Sequence, residues 1–344
     1  MIMETSKNIP IFKTFGIAGA GAWGTALAVV AAGGPKGTNP VTLWSFELET
    51  ATEINATLEN KTFLPGVALP QCIKATDNLD DLSACDAVLM VVPAQFARPV
   101  LKKLSERLRP TTPIILCSKG IEQSSLKLMS DVAAEFFAPE RIAVLSGPSF
   151  AADVARGLPT AVTLACEDEA LGQALSTGLG QKTFRPYLSS DIIGTEIGGA
   201  IKNVIAIACG IVEGKKLGES ARAAVTARGF AEMTNLGAAL GGRLETMTGL
   251  SGLGDLILTA GSKTSRNFSL GVALGEGKTI KEILGARRSV SEGAMSARAV
   301  QLLAECHNIE MPICAAVDQI INNDLNVDTA IQLLLQRPFS HEHE

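Results

Sequence analysis

The sequence predicts an α/β protein: a doubly wound parallel Rossmann-type sheet followed by an all-helical C-terminal domain. Three observations carry this expectation. Apolar runs rich in Val, Ile and Leu alternate with helical periodicities through the first half of the chain. A glycine-rich turn joins the first run to the first helix. Beyond residue 191 almost only helical periodicity remains.

The apolar runs lie at 14–18, 41–44, 87–92, 114–117, 142–145 and 161–165. Helical patterns separate most of them, at 23–32, 49–59, 94–109, 125–137 and 169–179. Continuous apolar strands between helices indicate a parallel sheet covered on both faces. Right-handed crossovers then make it doubly wound. The pattern changes near 186–195, and the helices expected after it are 195–212, 221–240, 266–274, 279–284, 295–305, 315–322 and 329–336. A chain of 344 residues exceeds one ordinary core. The expected division is therefore a first, nucleotide-type domain over 1–190 and a helical domain over 191–344.

Composition narrows the function. The chain is 47% hydrophobic and 19% charged, with a net charge of −5. It has no Lys/Arg-dense arm and no aromatic-basic stripe, which argues against a nucleic-acid partner. The seven cysteines are scattered and form no Cys-x-x-Cys pair, as expected for reduced thiols in a cytoplasmic protein without a metal framework. The three histidines, His307, His341 and His343, all come late. Proton transfer, if it occurs, falls to lysine, carboxylate or tyrosine. Residues 16–34 carry no charge, but their six glycines fit a strand, turn and helix better than a signal peptide or a membrane span.

Gly19-Ala20-Gly21-Ala22-Trp23-Gly24 follows the first strand. In a dinucleotide loop the first glycine makes the tight turn, the second lets the backbone approach a pyrophosphate, and the third lets helix and strand pack closely. The helix start then presents N–H groups to the phosphates. Taken alone the motif is common, and its strand–turn–helix setting is what gives it weight. The second strand ends at Trp44, followed by Ser45 and Phe46. No acid stands at that end for a ribose hydroxyl and no arginine for a 2′-phosphate; Glu47 is near but fits the next helix equally well. NAD and NADP both stay open. Three more strand ends carry turn residues where a parallel sheet holds ligands: Pro93, Ser118-Lys119-Gly120 and Ser146-Gly147-Pro148-Ser149-Phe150-Ala151. Each is also ordinary turn chemistry.

Lys202 is the only charged residue between Ile197 and Val212. Desolvation of such an amine lowers its pKa and makes it a general base. The other reading is a lysine that carries its charge out to the surface. The glycine-dense loop 249–255 ends in Asp255, which either orients a substrate hydroxyl or caps a helix. Ser265-Arg266-Asn267 precedes an apolar helical pattern and reads either as a compact anion site or as a plain capped helix.

Together these segments resemble the bacterial NAD(P)-dependent sn-glycerol-3-phosphate dehydrogenases. The resemblance rests on Gly-Ala-Gly-Ala-Trp-Gly-Thr-Ala-Leu-Ala (19–28), Ser-Lys-Gly (118–120), Ser-Gly-Pro-Ser-Phe-Ala (146–151), Gly-Ala-Ile-Lys-Asn-Val (199–204), Gly-Leu-Ser-Gly-Leu-Gly-Asp-Leu (249–256) and Ser-Arg-Asn (265–267), occurring in that order. It implies interconversion of glycerol 3-phosphate and dihydroxyacetone phosphate, which in the reductive direction supplies glycerophospholipid synthesis. It implies Lys202 as proton acceptor. It implies substrate contacts from Lys119, Gly147, Ser149, Asp255, Ser265, Arg266 and Asn267. It implies cofactor contacts from Ala22, Trp23, Lys119, Ala151, Arg266, Val290 and Glu292. Similar proteins often carry arginine or histidine where this chain has Phe46, which leaves an adenine-stacking role for that ring. Such enzymes are usually cytoplasmic and commonly dimeric. Two rival readings are a 3-hydroxy-acid dehydrogenase of similar two-domain plan and a dinucleotide-sensing module without catalysis.

Overall fold

The computed structural model describes residues 11–285 and 292–338. The chain divides into two compact units. One comprises the chain up to Ser118 together with Met129–Ile192; the other comprises Lys119–Leu128 and the chain from Ile193 onward. The expectation of a single cut after residue 190 did not include the excursion of Lys119–Leu128 into the second unit.

The first unit is built on eight strands: β1 Phe15–Ala18, β2 Val41–Trp44, β3 Ile73–Thr76, β4 Ala87–Met90, β5 Ile114–Leu116, β6 Ile142–Ser146, β7 Thr160–Cys166 and β8 Phe184–Ser189. Their order in the sheet is β3-β2-β1-β4-β5-β6-β7-β8. Chain order reverses between β1 and β4, which is where a doubly wound sheet opens a ligand crevice. Strand side chains alternate between two cores. Phe15, Ile17, Leu89 and Ile115 lie in one, and Ala18, Val88, Met90, Ile114 and Leu116 in the other. Burial on both faces explains the unbroken apolar runs.

The sheet departs from the expected all-parallel one. β7 runs antiparallel to β6, with Ser146 opposite Thr163, and β8 is parallel to β7. A parallel return needs a crossover of a dozen residues or more, usually a full helix. The connection from β6 to β7, residues 147–159, reaches that length but holds only the five-residue helix Ala151–Ala155. β3 and β8 were not expected from the sequence. In β3, exposed Lys74 interrupts the apolar run. β8 is an edge strand whose Arg185, Pro186 and Tyr187 hide the pattern, and proline is tolerated at such an edge.

The second unit is helical. Its central helix, Ile192–Gly214, is buried along most of its length. Among the described residues it is the one helix long and apolar enough to cross a membrane, and Ile197 to Ile211 instead form much of the core of this unit. It packs backbone to backbone on the helix Arg266–Gly275. A Cβ at Gly210 would lie 2.1 Å from the Phe268 carbonyl oxygen, and one at Gly271 would lie 2.0 Å from that of Ile207. Only glycine permits this approach. It fixes the start of the second helix beside the turn that carries Lys202.

Gly271→Ala should therefore force the two helices apart. Overpacking of this kind typically costs about 1–3 kcal/mol, and more where backbone is struck. A lowered denaturation midpoint is expected; an unchanged midpoint would show that the crossing is not as tight as described.

Candidate active site

The sequence-predicted residues fall into two sets, one in each unit. In the first unit the glycine loop has the geometry a dinucleotide needs. Gly19 adopts a positive φ of 124°, and its N–H donates to the Trp44 carbonyl at 3.0 Å, so the turn abuts the end of β2. A Cβ at Gly24 would lie 1.8 Å from the Gly19 carbonyl oxygen, whereas one at Gly21 would meet nothing within 4 Å. The third glycine thus serves packing, and the second leaves open the surface over which a pyrophosphate would pass. The helix Ala22–Ala31 that follows has no side-chain cap and no acid in its first turn. Its first N–H groups and its dipole are free to meet an anion. Trp23 Nε1 is buried without a hydrogen-bond partner. These features fit a dinucleotide.

The other first-unit residues flank strand ends. Pro93 occupies the residue before the helix Ala94–Ser105. Gly147, at φ 152°, leaves no room for a side chain, since a Cβ would lie 2.8 Å from Val162 Cα. The Ser149 hydroxyl donates to the Gly147 carbonyl at 3.0 Å, and Ala151 begins the short helix after it. Phe46 is 82% exposed and meets Trp44 edge-on.

The second unit holds the titratable cluster. Lys202 is buried, and its Nζ donates to Asp255 Oδ1 at 2.6 Å and to Thr259 Oγ1 at 2.9 Å. Lys119 Nζ donates to the other carboxylate oxygen of Asp255 at 2.7 Å. Asp255, 1% exposed, is thus shared by two ammonium groups. It stands at the start of the helix Asp255–Ala260, and its side-chain bonds go to the lysines and to Thr259. The approach depends on Gly198, one turn before Lys202. A Cβ there would lie 2.6 Å from the Ser251 carbonyl oxygen, so the glycine-dense loop lies against the lysine helix.

This geometry corrects the picture of a solitary, uncharged amine. Burial pushes the Lys202 pKa down to about 8; Asp255 and Glu292 pull it up, and Lys119 pulls it down. At pH 7 an amine of that pKa is neutral in about one molecule in ten. Burial raises the carboxyl pKa of Glu292, opposed by Arg266, Lys119 and Lys202. Glu292 therefore sits in the field of the same cluster, at the start of the helix Glu292–Cys306. Val290 lies outside the described residues.

The Ser265–Asn267 segment splits into different roles. The Ser265 hydroxyl caps the helix by accepting from Phe268 N at 3.2 Å. The Asn267 amide donates to Asn203 Oδ1 at 2.8 Å, and its oxygen accepts from Gly293 N at 3.1 Å. Asn267 thus ties three helices together instead of presenting its whole carboxamide to a ligand. Arg266 is exposed at the first helical position. Sequence reasoning missed Thr259 and the framework role of Asn203. Thr259 stands four residues after Asp255, on the same helix face, and that spacing was the available signal.

A dinucleotide loop at the switch point of a doubly wound sheet, in a chain that also buries a lysine–carboxylate pair, defines a nicotinamide-dependent oxidoreductase by class. The comparisons specify the family. The profile described as NAD-dependent glycerol-3-phosphate dehydrogenase N-terminus matches residues 14–172, and the C-terminus profile matches residues 191–332. The chain belongs to this family. A glycerol-3-phosphate dehydrogenase [NAD(P)+] from Parvibaculum lavamentivorans is 58% identical over 96% of this chain and 98% of its own length. The protein of that name from Maricaulis maris is 56% identical over 96% and 98%. The crystal structure of glycerol-3-phosphate dehydrogenase from Coxiella burnetii aligns with a TM-score of 0.91 at 40% identity, covering 95% of this chain and all of that one.

Asp255→Asn would remove the carboxylate that the two ammonium groups share. Breaking a buried pair in this way typically costs on the order of 3–5 kcal/mol. The denaturation midpoint should fall accordingly, and a wild-type midpoint would mean that the lysines do not depend on this carboxylate.

Proposed function

We propose that the protein interconverts sn-glycerol 3-phosphate and dihydroxyacetone phosphate, with NAD or NADP as redox partner and Lys202 as the acid–base group. The observation that carries this reading is the buried Lys202–Asp255–Lys119 cluster beside a helix start bearing Arg266. Its substrate is accordingly a small phosphorylated polyol. Family membership disfavours both the hydroxy-acid and the non-enzymatic alternatives.

The glycine loop, with Ala22, Trp23, Phe46, Pro93 and Ala151, is the part of the chain suited to hold the cofactor. When bound, nicotinamide accepts or supplies the hydride. The remaining work belongs to the protein. The Ser265-capped helix start and Arg266 bind the substrate phosphate, since an N-terminal N–H array and a guanidinium fork both match phosphate oxygens. Asp255 and Thr259 hold the Lys202 amine in one orientation. In oxidation, neutral Nζ takes the C2 hydroxyl proton. In reduction, the ammonium form polarises the C2 carbonyl and then donates. Lys119 contributes positive charge that keeps Lys202 from becoming too basic to release its proton. In this reading Gly147 and Ser149 remain candidate substrate contacts and Glu292 a candidate cofactor contact, as the family resemblance implies. The protein is further assigned to the cytoplasm as a homodimer that supplies glycerol 3-phosphate for glycerophospholipid synthesis.

Lys202→Met should keep nucleotide affinity and lose about 10²–10⁴ in turnover, the usual contribution of a placed acid–base group. Activity within tenfold of wild type would remove Lys202 from this role. The pH profile has a definite sign. Oxidation needs the neutral amine, so kcat/KM should rise with pH and level off above about 8; reduction needs the ammonium and should fall over the same interval. Arg266→Ala should raise KM for either substrate by about tenfold or more, as loss of a charge-assisted grip on phosphate predicts. Unchanged KM would place the phosphate elsewhere.

A further inference from the structure

We propose that this chain selects NAD(H) over NADP(H), and that Glu47, held at the end of β2 by Ser45, is the residue that selects. The inference rests on the reading that the glycine loop holds the dinucleotide.

In a fold of this kind the adenosine ribose lies at the end of the second strand, about twenty residues past the glycine turn. Here that place is fixed by a direct bond. Gly19 N donates to the Trp44 carbonyl, the last residue of β2. The residues that follow are therefore the ones beside the ribose. Glu47 is not part of the next helix. It occupies the residue before Leu48–Thr57 in an extended conformation, φ −93° and ψ 121°. Its carboxylate accepts from the Ser45 hydroxyl at 3.3 Å, and its own N–H donates to the same oxygen at 3.3 Å. Ser45 is fully buried, and its N–H donates to the Thr76 carbonyl of β3 at 2.8 Å. The short Ser45–Glu47 turn is thus tied to the sheet. It presents an exposed carboxylate at the strand end.

The surrounding charge points the same way. From Gly37 to Asn60 the sequence contains no Lys, Arg or His and four glutamates, at 47, 49, 53 and 59. The adjoining end of β3 leads into Asp77, Asp80 and Asp81. Arg107 is bound to Asp80. Lys36 and Lys61 flank this stretch in sequence and Lys74 lies within β3; Lys61 follows Asn60, whose amide donates to the Ala20 carbonyl at 2.8 Å. A ribose 2′-hydroxyl gains an acceptor from Glu47. A 2′-phosphate carries close to two negative charges, finds no guanidinium at the strand end and is repelled by the carboxylate. Exposed Phe46 offers a ring face to adenine and no charge to a phosphate.

The test is direct binding, independent of turnover. NADH and NADPH are titrated into the full-length protein and followed by nicotinamide fluorescence, with thermal melts confirming that each variant folds. Wild type is expected to bind NADH about tenfold tighter or more, as one charge-assisted hydrogen bond against one repulsion predicts. Raising the salt from about 0.02 M to about 0.3 M should narrow the gap, because repulsion at an exposed site is screened. Glu47→Gln should narrow it about fivefold or more, mainly by tightening NADPH, and Phe46→Arg should narrow it further. Equal affinities, tighter NADPH binding, or a ratio that ignores Glu47→Gln would overturn the proposal. Tighter NADPH binding that is lost in Lys61→Ala would overturn it and identify Lys61 as the phosphate partner. Failure of both nucleotides to bind would overturn it together with the dinucleotide reading of the loop.

Discussion

One buried carboxylate shared by two ammonium groups is the constraint around which the second unit is arranged. Asp255 meets Lys202 through one oxygen and Lys119 through the other. Desolvated charges are tolerated only when paired and hydrogen-bonded, and removal of either sign leaves the other exposed to the full penalty. The surrounding structure serves that pairing. Gly198 lets the 249–255 loop lie on the lysine helix. The Lys119–Leu128 excursion joins the second unit, with Ile121 and Leu128 in its core. Gln123 Nε2 donates to the Met295 carbonyl, which ties this segment to the helix that begins at Glu292.

The same pairing sets the chemistry. Burial alone would drive Lys202 toward a permanently neutral amine, and a carboxylate alone would keep it permanently charged. With burial, Asp255, Lys119 and Glu292 in opposition, its pKa stands at about 8. A group poised near the working pH serves as base in one direction and acid in the other, which a reversible hydride transfer between an alcohol and a ketone requires. The glycine packing of Ile192–Gly214 on Arg266–Gly275 sets this amine near a helix start suited to phosphate.

Much of this was legible in the sequence, and what was not has physical causes. The strand–turn–helix at Gly19–Gly24 could be read locally because its three glycines answer to different steric demands, and Gly19 and Gly24 meet theirs as expected. Lys202 stood out because its own helix offers it no partner. Its partners come from 53 and 57 residues away, and Lys119 reaches Asp255 across 136. No periodicity reports such distances, so the amine looked solitary when it is paired. Ser265 and Asn267 were visible as polar residues at a helix start, but the sequence could not show that one caps the helix and the other bonds to Asn203 and Gly293. In the sheet, β3 and β8 escaped notice because an exposed Lys74 and an edge proline erase the apolar run that marks the inner strands.

Lys202 titrates within reach of neutrality because burial outweighs the pull of its carboxylate. The most direct measurement follows the Nζ resonance of Lys202 by NMR in lysine-labelled protein, assigned by comparison with the K202M variant. The expected midpoint is near 8, well below the 10.5 of an ordinary lysine. A midpoint at the ordinary value, equal to that of the surface lysines, would contradict it.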